Sequence, residues 1–204
     1  FLVDDYDMDR YAIDVTIISS QKGLCLSPGM SMIALSKRMI DKILTPPPLS
    51  PLTHNLKNTF YFDIKKYLLN ITRGQTPFTP PVSIMYELED ILYLIEKKGG
   101  KNAWLIDIFE KCQYFRKRAI EYGFEIPSYP LSNMLTPLVF HDINAYSVFE
   151  ILKDRYKFYV CPVGGELSHK LLRISHIGNT SKEDIDILLD KLSLSVSAVK
   201  GAGK

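Results

Sequence analysis

The stretch that decides the fold is IDVTIISSQKGLCLSPGMSMIALS, which runs from Ile13 to Ser36. Its β-branched, apolar run at 13–19 predicts a buried strand, and SMIAL at 31–35 predicts a second strand. Between the two runs lie small and polar residues that are typical of turns, namely SQKG at 20–23 and SPG at 27–29. The pattern therefore predicts a strand–turn–strand unit with Lys22 in its turn.

Lys22 is a candidate nucleophile because of this position. The apolar run on one side of it and the tight turn around it predict that its amine is partly buried. Burial disfavours the ammonium form and favours the neutral amine, which attacks an aldehyde to form a Schiff base. The alternative is an ordinary surface lysine on a connecting loop, and the spacing alone does not decide between the two.

Length and composition describe an ordinary globular protein. The 204 residues are 46% apolar and 24% charged, and the formal net charge is +2. A chain of this length can bury a sizeable core in one large or two small domains. Because both signs of charge are interspersed, the sequence predicts neither a nucleic-acid partner nor a membrane partner, and it contains no apolar run long enough to span a bilayer.

The cysteines point to a reducing compartment. Cys25, Cys112 and Cys161 are odd in number and far apart, which favours thiols over a disulfide framework. No Cys-x-x-Cys or Cys/His spacing predicts a metal site. We therefore expect a cytoplasmic protein without a metal.

The turn around Lys22 carries a family resemblance. Ser20-Gln21-Lys22-Gly23-Leu24, followed by Pro28-Gly29, resembles the cofactor-lysine segment of class V aminotransferases of the alanine–glyoxylate and serine–pyruvate type. These are fold-type I enzymes that use pyridoxal 5′-phosphate (PLP). The resemblance implies that Lys22 forms the Schiff base with PLP and that Gln21 lies beside the cofactor phosphate.

The resemblance also implies a domain organisation. It makes the chain α/β, with residues 1–98 as the C-terminal part of the PLP-binding large domain and residues 99–204 as a small α+β C-terminal domain. The aspartate that pairs with the cofactor ring nitrogen, the phosphate-binding turn and the ring-stacking aromatic are expected upstream of Phe1. Asp4 is a possible substitute for that aspartate, but the similarity of the following connector to the family argues against it. The chain is therefore expected to be the C-terminal half of a longer enzyme.

Thr79 lies in a second segment of interest, GQTPFTPPVS at 74–83. An apolar face at helical spacing follows this segment, and its prolines suit a helix start. Read locally, Thr79 is a polar residue near a helix N-terminus. The resemblance implies instead that Thr79 reaches the PLP phosphate of the neighbouring subunit, which makes the enzyme a homodimer. Thr76 stands where relatives often carry a phosphate-binding tyrosine, so that contact is expected to be shortened or lost.

Arg173 stands in the middle of an apolar strand, LLRIS at 171–175. A guanidinium there is costly to bury unless it meets an anion. One explanation is a salt bridge with one of the 23 acids of the chain. The resemblance implies another, in which Arg173 grips the α-carboxylate of an amino acid substrate, a task that suits its planar fork.

The remaining pattern alternates helices and strands. We expect helices at 37–44, 84–95, 101–122, 144–156 and 181–192, strands at 135–140, 158–161 and 170–175, and a frayed tail at 198–204. The inner face of the third helix is expected to hold Trp104, Ile108, Phe109, Cys112, Phe115 and Ala119. The proline-rich stretch at 45–51 predicts a rigid loop, with a ligand for an SH3-type groove as the alternative.

Together these features predict a ping-pong, PLP-dependent aminotransferase. Its substrates would be a small amino acid and a keto acid of the alanine, serine, glyoxylate and pyruvate type. One alternative is a PLP-dependent lyase or desulfurase, which would need a nucleophilic cysteine on a mobile loop, with Cys161 as the candidate. The other is a non-catalytic fragment or dimerisation module.

Overall fold

The computed structural model describes residues 2–45 and 59–202. They form two compact units, one spanning Tyr6–Leu94 and the other joining the N-terminal residues up to Asp5 with the chain from Ile95 onwards. The predicted proline-rich loop lies outside the described residues, apart from Thr45.

A two-stranded antiparallel sheet opens the first unit. Strand β1 (Val15–Ser19) pairs with β2 (Ser31–Leu35), with Ile17 opposite Ile33. Helix α1 (Lys37–Leu44) follows directly and has the predicted bounds. It begins there because the Ser36 hydroxyl accepts a hydrogen bond from the Met39 amide, 3.1 Å away, which satisfies one of the open donors of the first turn.

The sheet is less buried than predicted. Val15, Ile17 and Ile33 lie on one face and are exposed to 38%, 68% and 47%. A strand with consecutive apolar residues has two faces to cover, and within the described chain this face is open. The prediction of a buried first strand is therefore wrong for this chain, and β1 also begins two residues later than expected.

Two more helices complete the first unit. Helix α2 (Ile64–Ile71) was not predicted, because the aromatic run before it resembles a strand more than a helix start; Asp63 caps it by accepting from the Lys65 amide. Helix α3 (Val82–Lys97) was predicted. Of its apolar face, Ile84 and Ile95 are buried, and the rest is half-buried or exposed.

The second unit packs helices on a three-stranded antiparallel sheet of order β3–β5–β4. Its elements are α4 (Gly100–Glu121), β3 (Leu135–Val139), α5 (Ala145–Tyr156), β4 (Cys161–Pro162), β5 (Leu171–Ser175) and α6 (Lys182–Ala202). Apolar side chains of α4, α5, α6 and the two longer strands fill the core, among them Phe115, Leu138, Leu152, Leu172 and Leu189. The short strand predicted at 158–161 is shifted to β4.

The predicted inner face of α4 is confirmed except at one position. Trp104, Ile108, Cys112, Phe115 and Ala119 are buried, whereas Phe109 is 49% exposed. The buried residues follow one another at three- and four-residue spacing, and Phe109 comes directly after one of them, so it lies about 100° around the helix. Trp104 is a core residue, as the spacing predicted.

Helix α6 is longer than predicted and includes most of the expected tail. Serines at 193, 195 and 197 weaken the helical signal, because serine competes for backbone hydrogen bonds. The core nevertheless continues through them: Ser195 is buried and donates to the Lys191 carbonyl, 2.8 Å away, while Val196 and Val199 pack against the core. Tertiary packing therefore extends the helix beyond its local propensity.

A buried histidine ties β5 to its neighbours. The His176 ring is 2% exposed, packs on Phe115 and lies 2.8 Å through Nε2 from the Thr136 hydroxyl, which also accepts from the Arg116 guanidinium. Burial, together with the nearby Arg116 charge, lowers the pKa of His176 from 6.5 to about 4. His176 is therefore neutral in the folded protein at physiological pH.

This burial predicts an acid-sensitive fold. The unfolded chain binds a proton at His176 near pH 6.5 and the folded chain only near pH 4, so the free energy of unfolding falls as the pH drops through this window, by about 3 kcal/mol. Urea unfolding at pH 7.5 and pH 4.5 measures the loss. We expect His176→Gln to remove that part of the pH dependence and His169→Gln, at an exposed histidine, to keep it. Equal pH slopes in the wild type and His176→Gln would contradict this.

Candidate functional site

The turn that carries Lys22 is anchored by Ser20. This serine is fully buried; its hydroxyl donates to the Ser27 carbonyl, 2.7 Å away, and accepts from the Met30 amide at 3.3 Å. Its backbone amide also donates to the Met30 carbonyl at 3.0 Å. One small polar residue at the end of β1 therefore closes the whole loop between the two strands.

Lys22 and Gln21 are exposed on this turn, whereas the next two residues, Gly23 and Leu24, are buried. The predicted burial of Lys22 is therefore wrong for the described chain. The apolar anchor of the turn is Leu24, at 2% exposure, which leaves the lysine outside. No ion pair of the described residues involves Lys22, so its amine is accessible and has no carboxylate partner there.

The far side of the same loop packs on the start of α3. The Ser27 amide donates to Glu87 Oε2 at 2.7 Å. Gly29 has a φ of +135°, and a Cβ there would lie 3.0 Å from Ile84 Cδ1. Helix α3 and the lysine turn are thus held together within the first unit at a position that only glycine fits.

Gly29→Ala is expected to destabilise the lysine turn through both backbone strain and the close approach to Ile84. We expect a loss of about 2 kcal/mol in the free energy of unfolding, measured by urea denaturation. Gly74→Ala is the control, since Gly74 also has a positive φ but nothing lies within 4 Å of a Cβ there. Equal losses in the two variants would contradict the prediction, because Gly29 has both the less accessible φ, +135° against +66°, and the close approach to Ile84.

Thr79 is exposed and lies just before α3. It lines an open cavity of about 840 Å³ in the first unit, together with Gln75 and Thr76. The Thr76 hydroxyl donates to the Phe78 carbonyl at 2.6 Å, but the Thr79 hydroxyl has no hydrogen-bond partner among the described residues. Because α3 begins three residues later, at Val82, Thr79 is not the cap of this helix.

Arg173 lies in the middle of β5, in the second unit, and Cys161 of β4 is its direct neighbour across the sheet. Its Nη2 donates to Cys161 Sγ at 2.9 Å and to the Pro162 carbonyl at 3.1 Å. Its Nε is buried and has no hydrogen-bond partner in the described chain. None of the ion pairs found among the described residues involves Arg173, so the salt-bridge explanation finds no support there.

Two contacts escaped the sequence analysis. The anchoring role of Ser20 had only a weak signal, a small polar residue directly after an apolar strand. The contact between Cys161 and Arg173 had none, because it depends on the register of β4 against β5. The Asp4 carboxylate accepts hydrogen bonds from the Asn133 amide, 2.9 Å away, and from the Ser132 hydroxyl. Asp4 is therefore bound within the second unit.

Within 2–45 and 59–202, no group of three or more His, Cys, Asp or Glu side chains could hold a metal ion. No helix in these ranges is long and apolar enough to cross a membrane.

The fold matches solved structures of PLP-dependent aminotransferases. The structure of pyridoxamine–pyruvate aminotransferase from Mesorhizobium loti superposes with a TM-score of 0.82 over 98% of this chain and 50% of that one, at 22% identity. At this identity the match defines the fold alone: this chain has the fold of about half of such an aminotransferase.

Sequence relatives refine this class, although no family model matches the chain. An uncharacterized aminotransferase of Helicobacter pylori strain J99 is 30% identical over 81% of this chain and 42% of its own length. Alanine–glyoxylate aminotransferase of Felis catus is 29% identical over 91% and 45%. The small subunit of a soluble hydrogenase of Synechococcus sp. strain PCC 6716 is 25% identical over 87% and 44%.

These findings confirm the resemblance. The homologues of this chain include alanine–glyoxylate aminotransferases and uncharacterized aminotransferases. The chain spans somewhat less than half the length of these curated relatives, in agreement with its expected place as one half of such a protein.

Proposed function

We propose that the protein to which this chain belongs is a PLP-dependent aminotransferase that moves an amino group between a small amino acid and a keto acid. The observation that carries the proposal is an accessible lysine without a carboxylate partner, presented on an anchored turn, in a chain whose homologues are aminotransferases. The direct test is transamination by the full-length protein, with alanine or serine as donor and glyoxylate or pyruvate as acceptor, followed as keto acid formation.

The residues of the first unit fit PLP. The Lys22 amine can bind the aldehyde of the cofactor, while the Gln21 amide and the Thr79 hydroxyl are donors of the kind that a phosphate needs. When bound, PLP supplies an electron sink for the charge that develops at the substrate α-carbon. Lys22 then has a second task, because its free amine can accept the α-proton and return it at a neighbouring carbon.

Arg173 fits the carboxylate that all substrates of this reaction share. Its buried Nε lacks a partner and its charge lacks a counter-ion among the described residues, so it can accept an anion without first breaking an ion pair. A planar guanidinium binds a carboxylate through two parallel hydrogen bonds. In our proposal Arg173 therefore binds the carboxylate and orients the substrate.

The lysine half of the enzyme requires a second half. The apolar face formed by Val15, Ile17 and Ile33 is open, and a two-stranded sheet is marginal on its own. We propose that further polypeptide covers this face and that residues 1–98 complete the PLP-binding large domain, with residues 99–204 as the small domain. The length of the relatives supports this.

We further propose a homodimer in which Thr79 serves the site of the neighbouring subunit. Its exposed hydroxyl has no hydrogen-bond partner in the described chain, which agrees with a role outside its own subunit. Thr79→Ala should weaken PLP binding about tenfold, the value of one hydrogen bond to a charged group. Thr76→Ala is the control, because the Thr76 hydroxyl already donates to the Phe78 carbonyl. PLP dissociation constants measured by absorbance compare the two.

A mixed dimer tests whether the site is shared. In a heterodimer of Lys22→Ala and Thr79→Ala subunits, a shared site combines the intact lysine of one subunit with the intact threonine of the other. We expect one site with wild-type PLP affinity per heterodimer. If each site is built within one subunit, every site carries a defect and no wild-type affinity returns, which would contradict the shared arrangement.

The structure gives the desulfurase alternative no support. That reaction needs a cysteine on a mobile loop, and Cys161 instead lies in β4, paired with β5 and bonded to Arg173. Finally, we propose a cytoplasmic location, because three cysteines far apart in the sequence do not suit a disulfide framework. Cell fractionation with antibody detection tests this location.

A further inference from the structure

Cys161 presents its thiol to the guanidinium of Arg173. The cysteine is exposed, and Arg173 Nη2 lies 2.9 Å from its sulfur and 3.1 Å from the carbonyl oxygen of Pro162. The two acceptors are joined as well, because the thiol lies 3.7 Å from the same carbonyl oxygen. A single guanidinium nitrogen therefore serves both acceptors.

The geometry of a guanidinium gives this contact a consequence. A carboxylate can bind in parallel to two edges of the group, one formed by Nη1 and Nη2 and the other by Nε and Nη2. Both edges include Nη2, which already donates to Cys161 Sγ and to the Pro162 carbonyl. A substrate carboxylate that binds Arg173 with two hydrogen bonds must therefore displace one of these acceptors.

The substrate carboxylate displaces the Cys161 thiol and not the Pro162 carbonyl. Sulfur is a weak acceptor, whereas a backbone carbonyl is a strong one and a carboxylate is stronger still because it is charged. The Pro162 carbonyl is also fixed by the pairing of β4 with β5, while the exposed Cys161 side chain can rotate. The exchange thus replaces the weak hydrogen bond from Arg173 to the Cys161 sulfur with a stronger one to the substrate carboxylate.

We propose that Cys161 is a specificity-determining residue of the carboxylate site: its thiol occupies the position on Arg173 that one carboxylate oxygen of the substrate takes. This inference rests on the proposed function. A neutral, weakly bonding side chain at 161 holds the Arg173 guanidinium in place and can still be displaced by the substrate carboxylate. A negative charge at 161 would instead pair with Arg173 and exclude the substrate.

The test compares Cys161→Asp with Cys161→Asn in the full-length protein. The two side chains have nearly the same shape and differ in charge. With pyruvate as the probe and calorimetry at pH 7.5, we expect the dissociation constant of Cys161→Asp to be at least about tenfold higher than that of Cys161→Asn. Circular dichroism confirms that both variants are folded, and Cys161→Glu with Cys161→Gln replaces the pair if either is not.

Equal dissociation constants for the charged and neutral variants would overturn the inference. The failure of the proposed function is a separate result: no PLP on Lys22, whatever the charge at 161 does to pyruvate binding. The charge effect and the cofactor linkage are thus read from different measurements.

Discussion

Lys22→Ala is expected to abolish transamination by the full-length protein, with kcat reduced by at least about 10³-fold. The lysine has two tasks in our account, covalent attachment of PLP and transfer of the α-proton, and proton transfer by a positioned base alone contributes about 10²–10⁴-fold. Keto acid formation measures the loss. Because Lys22 is exposed and forms no ion pair in the described chain, the variant should keep its thermal stability.

Two controls make this prediction specific. Lys37→Ala removes another exposed lysine, at the first position of α1, and should leave kcat unchanged. Added methylamine should restore part of the activity of Lys22→Ala, since a free amine can stand in for the missing base. Wild-type activity in Lys22→Ala, or the same loss in Lys37→Ala, would show that another group carries the chemistry.

Arg173→Ala is expected to raise KM for both the amino acid and the keto acid, by about 10- to 100-fold, with a smaller change in kcat. The estimate corresponds to the loss of charge-assisted hydrogen bonds worth about 1.5–3 kcal/mol. Arg173→Lys should recover only part of the affinity, because an ammonium keeps the charge but cannot form the parallel pair of bonds. Steady-state kinetics with each substrate varied in turn measures both constants.

Arg155→Ala is the matched control for Arg173. Arg155 is an exposed arginine of the same unit, with its guanidinium 5.4 Å from the centre of the Tyr156 ring. We expect its KM values to stay at the wild-type level. If Arg173→Ala lowers the thermal stability but leaves both KM values unchanged, Arg173 is a structural residue of β5 and not the carboxylate ligand.

The fold was predictable where local signals agree with packing. Ser36 caps α1, whose sequence has helical periodicity, and this helix has the predicted bounds. Two predictions of helix extent failed for physical reasons. The aromatic residues before Asp63 obscure the helical signal of α2. The serines after Leu192 weaken the helical signal at the end of α6, where packing against the core stabilises the helix. The end of α6 depends on packing partners that are distant in the sequence, whereas α2 depends on a local cap, Asp63, next to an aromatic run.

For the candidate site, the sequence provided candidate residues, which remain predictions, and it did not predict their environment. The family resemblance identified Gln21, Lys22, Thr79 and Arg173 as candidates. It did not predict that Leu24 takes the buried place in the turn and leaves Lys22 exposed. Nor did it predict the contact between the Cys161 thiol and Arg173. A contact across two strands depends on their register, which one sequence does not specify.

The most direct test of the central claim is reduction of the purified full-length protein with borohydride, followed by peptide mass spectrometry. Borohydride reduces the carbon–nitrogen double bond between a lysine and PLP and makes the linkage permanent. Our account predicts a pyridoxyl-phosphate adduct on the peptide that contains Lys22, and its absence in Lys22→Ala. An adduct on a different lysine, or no adduct on the full-length protein with PLP added, would contradict the account.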